Sequence, residues 1–291
     1  MLQVARLAPQ QLGESRDLVA AFLHSRLNSD GGFQNRSGES DLYYTVFGLE
    51  GLVALQQPVP ADAIVSYLRR FGDGRDLDFV HLACLARCWA TVSRDLADIP
   101  VRKILAGLEA HRTEDGGYAQ SDDTFRGSVY AAFLALGAYQ DLLVPLPRPD
   151  QLLDALSGLR ARDGGFANQP DEVYGITTVT AAAVLLLRAL EGPIDPHLGM
   201  WLLNRCHGSG GFLATATAPV PDLLSTATGL HALAALHVPL AGVYESCLDY
   251  VDSLWTNRGG FYASWVDDTL DCEYTYYGLL ALGHLTVAAP V

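Results

Sequence analysis

The chain has 291 residues, of which 49% are apolar and 18% charged, and its net charge is −14 with Lys103 as its single lysine. This balance argues against nucleic-acid binding, which needs a basic surface. No apolar run reaches the roughly 18 residues of a membrane span, and the N-terminus lacks an uninterrupted apolar segment, so neither a membrane helix nor a signal peptide is predicted. Five scattered cysteines, an odd number, predict reduced thiols in a cytoplasmic protein.

A repeat of about 48 residues runs through the chain. Its marker is a Gly-Gly pair, which begins at Gly31, Gly116, Gly164, Gly210 and Gly259. The first interval is close to twice the others, so a degenerate copy is expected inside it, and FGDGRDLDFVHLACLARCWATV from Phe71 is that copy. The sequence therefore predicts one domain, 1–291, built from repeats 14–57, 58–99, 100–146, 147–193, 194–240 and 241–288.

Each repeat contains two helical segments around a turn. An amphipathic segment ends just before the Gly-Gly pair, where glycine can adopt the positive φ that stops a helix. A polar loop follows, and then a segment such as VYAAFLALGAY, which is apolar on all sides and typical of a buried helix. The pattern predicts an all-α fold of about twelve helices, six inner and six outer. A closed ring is favoured over an open solenoid, because solenoids need polar capping repeats and the terminal repeats here are well preserved.

The repeats resemble a known family. DLYYTVFGLEGL from Asp41 and WLLNRCHGSGGF from Trp201 are similar to segments of protein prenyltransferase β subunits, above all the Rab geranylgeranyltransferase type. More distantly, the chain resembles squalene–hopene cyclase and other class II terpene cyclases. The resemblance implies an α/α toroid with an apolar central funnel that holds an isoprenoid. It also implies, as partners, a helical α-subunit-like protein or a second copy of the chain.

The zinc and diphosphate residues of the prenyltransferases are not retained. The resemblance places the zinc ligands Asp, Cys and His at Asp222, Leu224 and Tyr274, and only Asp222 is able to bind a metal. The basic residues that would hold the diphosphate are expected just before Asp222, yet no Lys or Arg occurs between Arg205 and Arg258. We therefore expect no zinc and no other cofactor, since the usual thiolate activation depends on the metal.

Carboxylates mark the predicted starts of the inner helices. Aligning the repeats on the threonine of Asp-x-x-x-Thr places aspartate at position one in four of them, namely Asp41, Asp76, Asp222 and Asp271. Aspartate there is typical of a helix N-cap. In the second and sixth repeats a further carboxylate, Asp78 or Glu273, stands at position three, where the resembling cyclases carry the acid that protonates an alkene. The candidate catalytic residues are therefore Asp78, Glu273, Asp76 and Asp271, with solvated loop charges as the alternative.

Aromatic residues cluster at or just inside the same helix starts: Tyr43, Tyr44, Phe79, Phe125, Tyr130 and Tyr274. In a ring these positions converge on the funnel, and aromatic faces suit a prenyl chain or a developing carbocation. We predict that they bind substrate, with Arg126 as a candidate contact for a diphosphate. The alternative is that the rings fill the barrel.

Two further patterns are explained better by structure than by chemistry. His81, Cys84 and Cys88 are spaced for one face of a helix, which is more typical of core packing than of a metal site. The Asp-Asp-Thr runs beginning at Asp122 and Asp267 precede the helix starts by several residues and are predicted to be loops.

The favoured function is an isoprenoid-handling enzyme that uses an apolar funnel without the usual zinc, acting as a prenyltransferase or as a proton-initiated terpene cyclase. A non-catalytic scaffold that binds a lipid or a protein is the first alternative. A carbohydrate-active toroid ranks last, because the predicted rim has no pair of tryptophan platforms.

Overall fold

The computed structural model describes residues 1–93, 99–121 and 124–289. Within them six helices form an inner layer: α4 (Leu42–Ala54), α6 (Phe79–Val92), α8 (Val129–Asp141), α10 (Thr177–Ala189), α12 (Leu223–Ala235) and α14 (Cys272–Ala288). Six form an outer layer: α3 (Arg16–Ser25), α5 (Ala61–Arg69), α7 (Val101–Ala110), α9 (Pro149–Ser157), α11 (Leu198–Leu203) and α13 (Tyr244–Leu254). Two short helices, α1 (Leu2–Ala5) and α2 (Pro9–Leu12), precede them.

The inner helices close into a ring. Each packs on the next in chain order, and α14 packs on α4. The predicted all-α toroid is thus confirmed, and the open solenoid was the wrong alternative. In the described ranges the only β-type backbone pairing consists of isolated bridges, such as the one between Leu27 and Phe33. No helix there is long and apolar enough to cross a membrane.

The small residues of the inner helices allow this close packing. Gly48 and Gly278 each face the aromatic ring of their own repeat's Gly-Gly turn, Phe33 and Phe261, and a Cβ at either position would collide with that ring. Inner-helix threonines such as Thr45 and Thr226 are fully buried. Small side chains let the inner helices approach their neighbours closely, so these apolar helices are buried on nearly their whole surface.

Several Gly-Gly turns pack closely against the outer helix of the next repeat. Gly259 has φ +88°, and a Cβ there would overlap the backbone oxygen of Leu18 in α3. Gly31 and Gly210 have the same conformation and meet the backbone of α5 and α13 in the same way. Because Gly259 belongs to the last repeat and Leu18 to the first, this turn closes the outer layer of the ring.

The threonine of Asp-x-x-x-Thr fastens the turn to the inner helix. In the first repeat Thr45 Oγ1 accepts a hydrogen bond from the Phe33 N–H (3.0 Å) and donates one to the Asp41 carbonyl (2.6 Å). Phe212 and Thr226 repeat the first of these contacts at 2.9 Å. The threonine therefore supplies an acceptor for a buried backbone N–H that would otherwise have none.

Candidate functional site

The inner helices begin at one end of the ring, called here the rim. Their N-cap residues are Asp41, Asp78, Ser128, Ile176, Asp222 and Asp271. The cap of the second repeat is thus Asp78 rather than Asp76, so the sequence alignment of that repeat was wrong by two residues. The third repeat was displaced by three, since its cap is Ser128 and not Phe125. The second repeat has Leu82 and the third has Ala132 in place of the threonine on which the repeats were aligned.

This register changes the reading of the second repeat. Asp78 occupies position one, and its side chain caps α6 by accepting the His81 N–H (2.9 Å). Partial burial acts to raise the pKa of Asp78, but hydrogen bonds from His81 outweigh it and lower the pKa, the opposite of what a proton donor requires. Asp76 is an exposed loop residue. The placement of Asp76 at position one and of Asp78 at position three, the acid position, was therefore wrong.

Three of the predicted substrate-binding residues do not face the ring's centre. Phe79 is fully buried but packs outward, against His111 and Tyr118. Phe125 is 74% exposed, and Arg126 is also on the surface. The same register error explains Phe125 and Arg126, which belong to the loop before the Ser128 cap. Asp122 and Asp123 lie outside the described residues.

The sixth repeat has the predicted position-three carboxylate. Asp271 caps α14, and Glu273 stands two residues later in the first helical turn. The Tyr43 hydroxyl donates a 2.6 Å hydrogen bond to Glu273 Oε1. Burial raises the pKa of Glu273 to about 7, and Asp271 adds to the rise, although the bond from Tyr43 acts to lower it. This carboxyl group is therefore poised between its neutral and ionised forms near neutral pH.

Arg36 joins the loop of the first repeat to the sixth. Its Nε donates to Asp271 Oδ2 (2.8 Å) and its Nη1 to Asp267 Oδ2 (3.0 Å). The guanidinium also lies 5.5 Å from the centre of the Tyr274 ring, in a cation–π geometry. Asp271 is 3% exposed, so Arg36 compensates a buried negative charge.

His81 joins the first and second repeats. Its ring lies between two caps, with Nδ1 at 2.7 Å from Asp78 Oδ2 and Nε2 at 3.3 Å from Asp41 Oδ2. Hydrogen bonding to Asp41, and then to Asp78, raises the pKa of His81 to about 9 despite partial burial. An imidazolium therefore bridges the two helix starts at neutral pH. Cys84 and Cys88, by contrast, are buried in the core.

The polar contacts of the rim are thus concentrated on three adjacent helices, α14, α4 and α6. The candidates Tyr44 and Tyr274 stand in this part of the rim, and Tyr44 packs edge-on against Tyr43. At the starts of α8 and α12, Ser128 and Asp222 bond to the first turn of their own helices.

Inside the ring lies a central cavity of about 160 Å³. Its aromatic lining consists of Tyr43, Phe47, Tyr130, Phe133, Tyr276 and Tyr277. Aliphatic and small residues of α8, α10 and α12 complete the wall, among them Leu134, Val179, Ala182, Leu185 and Leu224. A second cavity of about 450 Å³ adjoins it, since the two share Tyr43, Phe47, Phe133, Leu134 and Leu185. The larger volume lies within the range of small-molecule sites, roughly 300–1,000 Å³.

The cavity ends on a charged group at the opposite end from the rim. Arg87 of α6 places its Nε 2.6 Å from Glu50 Oε1 of α4 and 3.6 Å from Asp141 Oδ2 of α8. Glu50 and Arg87 line the central cavity, and Arg87 and Asp141 line the adjoining one. These three residues are called the base cluster.

The positions that the resemblance assigns to zinc are Asp222, Leu224 and Tyr274. Both carboxyl oxygens of Asp222 are bonded to Ser225, by the backbone N–H and by the hydroxyl, each at 2.7 Å. Leu224 has a hydrocarbon side chain, and burial, followed by Glu273, raises the pKa of the Tyr274 phenol well above 10. This donor set does not fit the metal. Across the described ranges, no group of three or more His, Cys, Asp or Glu side chains is arranged to hold one.

Sequence reasoning missed the deeper layers of the site. Phe47 and Tyr277 lie one helical turn inside Tyr43 and Glu273, so the i to i+4 spacing was available as a signal. Glu50 is the one charged residue within the apolar stretch TVFGLEGLVAL, and this isolated charge was a second available signal. The roles of Arg36 and His81 depend on contacts between repeats and had no local signal.

Comparison with known proteins identifies the fold family. The prenyltransferase alpha-alpha toroid domain matches residues 7–84, 77–213 and 198–288. The structure is similar to a variant of the type II terpene cyclase MstE from Scytonema in complex with geranylgeranyl dihydroxybenzoate, with 15% identity, 97% of this chain and 98% of that chain covered, and a TM-score of 0.67. It is also similar to Candida albicans protein geranylgeranyltransferase-I complexed with GGPP, with 14% identity, 79% and 91% covered, and a TM-score of 0.56.

A D-mannose isomerase is similar to the same degree, with 14% identity, 94% and 97% covered, and a TM-score of 0.68. At these identities the likeness concerns the fold alone, because one fold serves unrelated reactions. No functionally curated protein matches the sequence significantly. The family match spans nearly the whole sequence, and the chain belongs to the prenyltransferase alpha-alpha toroid family.

Proposed function

We propose that the chain binds an isoprenoid in the central cavity and the cavity that adjoins it, with the prenyl chain running from Tyr43 at the rim towards the base cluster. The observation that carries this proposal is the wall of the cavity, which is built from six aromatic and several aliphatic side chains. Such a wall suits a long unsaturated hydrocarbon. A sugar would leave many hydroxyl groups without partners against it, which disfavours the carbohydrate alternative.

An uncharged prenyl compound fits the rim better than a diphosphate. Arg36 is already bonded to Asp267 and Asp271, and His81 is held by two further carboxylates. A diphosphate would have to displace these contacts and would approach several negative charges. Zinc-dependent prenyl transfer has no support at Asp222, Leu224 and Tyr274, as described above.

The test is equilibrium binding of labelled geranylgeraniol and geranylgeranyl diphosphate. Ala182→Trp would fill the cavity and should abolish binding, because the indole occupies the space of several prenyl carbons. Met200→Trp, at a position that is 59% exposed on α11, is the matched control and should bind normally. Circular dichroism would verify that both variants are folded. Unimpaired binding by a folded Ala182→Trp protein would refute this location of the site.

A second candidate function, proton-initiated cyclisation, is favoured by the Glu273–Tyr43 pair. A neutral Glu273 would give its proton to one carbon of an alkene at the rim end of the chain, and the alkene's π electrons would form the new C–H bond. The resulting cation would be stabilised by aromatic faces, would close onto the next double bond and would lose a C–H proton to water. The net reaction is an isomerisation, and water reprotonates the carboxylate.

This second function has its own test. Incubation with prenyl alcohols and phenols, followed by mass spectrometry and chromatography, would detect cyclic isomers of unchanged mass. Glu273→Gln should then bind the compounds normally but form no product. Product formation at the normal rate by this variant would exclude Glu273 as the acid and leave the binding proposal intact.

A further inference from the structure

The base cluster places charged groups at the end of an otherwise apolar cavity. Glu50 is 4% exposed, and its carboxyl is neutralised by Arg87 at 2.6 Å. Burying such a pair is costly, and well-packed apolar residues would often stabilise a core as well or better. Because this ion pair also lines a cavity, it is a candidate for binding a polar group of a ligand.

Arg87 retains hydrogen-bond donors that the fold does not use. Its contacts to Glu50 and Asp141 are made through Nε, and its terminal nitrogens donate no hydrogen bond to any residue in 1–93, 99–121 or 124–289. The Arg87 side chain is 31% exposed and lines both cavities. A guanidinium has five N–H donors in a fixed plane, so several remain for a ligand.

Two buried oxygen atoms at the same place have few partners. The Tyr276 side chain contacts Glu50, and Asp141 Oδ2 makes no hydrogen bond within the described part of the chain beyond its 3.6 Å ion pair with Arg87 Nε. Tyr276 itself is 1% exposed and lines the central cavity, and Asp141 lines the adjoining one. Burial raises the pKa of Tyr276 far above its ordinary value, so its hydroxyl remains a donor. Buried polar atoms are nearly always fully paired, and these two retain hydrogen-bonding capacity for a ligand.

The charge of the cluster limits what that partner can be. Two carboxyl groups face one guanidinium and the N-terminal amine of Met1, so the cluster has no excess positive charge for a carboxylate or phosphate ligand. A neutral hydroxyl has the required chemistry, since its oxygen can accept from Arg87 or Tyr276 and its hydrogen can be donated to Asp141 or Glu50. We propose that the base cluster and Tyr276 form a subsite for the hydroxyl group of a prenyl alcohol or a prenylated phenol. This inference rests on the proposed binding of an isoprenoid in the cavity and names the end group of that ligand.

The subsite predicts a specific affinity pattern. In an apolar cavity a hydroxyl group weakens binding, because it loses its bonds to water. With the subsite, geranylgeraniol should bind at least as tightly as the hydrocarbon in which hydrogen replaces the hydroxyl. Removal of one hydrogen-bond partner should weaken the alcohol about three- to tenfold and leave the hydrocarbon unchanged.

The experiment is equilibrium dialysis of both ligands against three variants and the unmodified protein. Tyr276→Phe removes the hydroxyl without removing packing, and Glu50→Gln/Arg87→Met replaces the Glu50–Arg87 pair by neutral groups of similar size. Tyr250→Phe is the control, because Tyr250 is equally buried but donates to the Pro221 carbonyl and lines neither cavity. We expect selective loss of alcohol affinity in the first two variants and no change in the third.

The outcomes separate the two proposals. If both ligands bind and their affinity ratio is the same in every folded variant, the hydroxyl subsite is overturned while the proposed function stands. If neither ligand binds the unmodified protein, the proposed function fails and this inference fails with it.

Discussion

The Tyr43 hydroxyl donates to Glu273 Oε1 at 2.6 Å, which joins the first turn of α4 to the first turn of α14. The two residues are 230 positions apart in sequence and meet only because the ring closes. Among the described residues, Glu273 is the one carboxylate in the first turn of an inner helix, and this bond holds it in place. It also connects that group to Tyr43, whose ring lines the central cavity.

Glu273 should make stability fall with rising pH. Its pKa is about 7 in the folded protein, against an ordinary value of 4.5. The folded state therefore holds a proton between these values that the unfolded state has released, and stability is lost as the pH rises from 4.5 through 7. The difference corresponds to about 3 kcal/mol. Glu273→Gln should remove this loss and increase the free energy of unfolding at pH 8 by about 1–3 kcal/mol.

Urea unfolding of both proteins from pH 4 to pH 9 would measure this effect. The difference between their free energies of unfolding isolates Glu273 from other titrating groups. Glu114→Gln, at an exposed loop position, is the control and should give a difference near zero at every pH. A constant difference for Glu273→Gln across the range would contradict the assigned pKa.

His81 should contribute stability in a different pH window. Its pKa is raised from 6.5 to about 9 by Asp41 and Asp78, so its stabilisation is complete below pH 6.5 and is lost as the pH rises through 9. The imidazole is partly exposed, and solvent screening limits each contact to less than about 1 kcal/mol. His81→Gln should be less stable than the unmodified protein at pH 6 and nearly equal to it at pH 10. NMR titration of the His81 ring would give the pKa directly, and a value near 6.5 would disprove the bridge.

Thr45→Val should destabilise the first repeat. The substitution conserves shape but leaves the buried Phe33 N–H without its acceptor, which costs about 1–3 kcal/mol. Thr91→Val is a matched control, because within the described residues the Thr91 hydroxyl bonds only to the Arg87 carbonyl of the preceding helical turn. Urea unfolding should show a clear loss for the first variant and little change for the second. Equal losses would mean that the threonine acts through helix propensity alone.

Gly259→Ala should weaken ring closure. Gly259 has φ +88°, and a Cβ would overlap the Leu18 carbonyl, so the substitution should cost more than about 1 kcal/mol. Gly242 has no atom within 4 Å of a built Cβ, and Gly242→Ala should change stability by less than about 0.5 kcal/mol. Thermal unfolding would rank the two variants, and similar melting temperatures would contradict the proposed contact between the last and first repeats.

Much of the architecture was predictable because the residues that start and stop each helix lie close together within the repeat. The Gly-Gly pair, the capping aspartate and the apolar inner segment each act within a few residues, so their spacing predicted the alternating helices correctly. The prediction failed where a repeat lacked one of these residues. In the second and third repeats the missing threonine displaced the alignment, and Asp78, Phe125 and Arg126 were misplaced as a result.

The sequence by itself determined the order and type of the helices, the Leu and Tyr at positions 224 and 274, where the resemblance places zinc ligands, and the carboxylate at position 273. Only the tertiary structure decided which of these residues meet. Glu273 with Tyr43, Arg36 with Asp271, and Glu50 with Arg87 are contacts between repeats, and ring closure or the packing of neighbouring inner helices creates them. A side chain's pKa and partners depend on distances in space, which local sequence patterns do not encode.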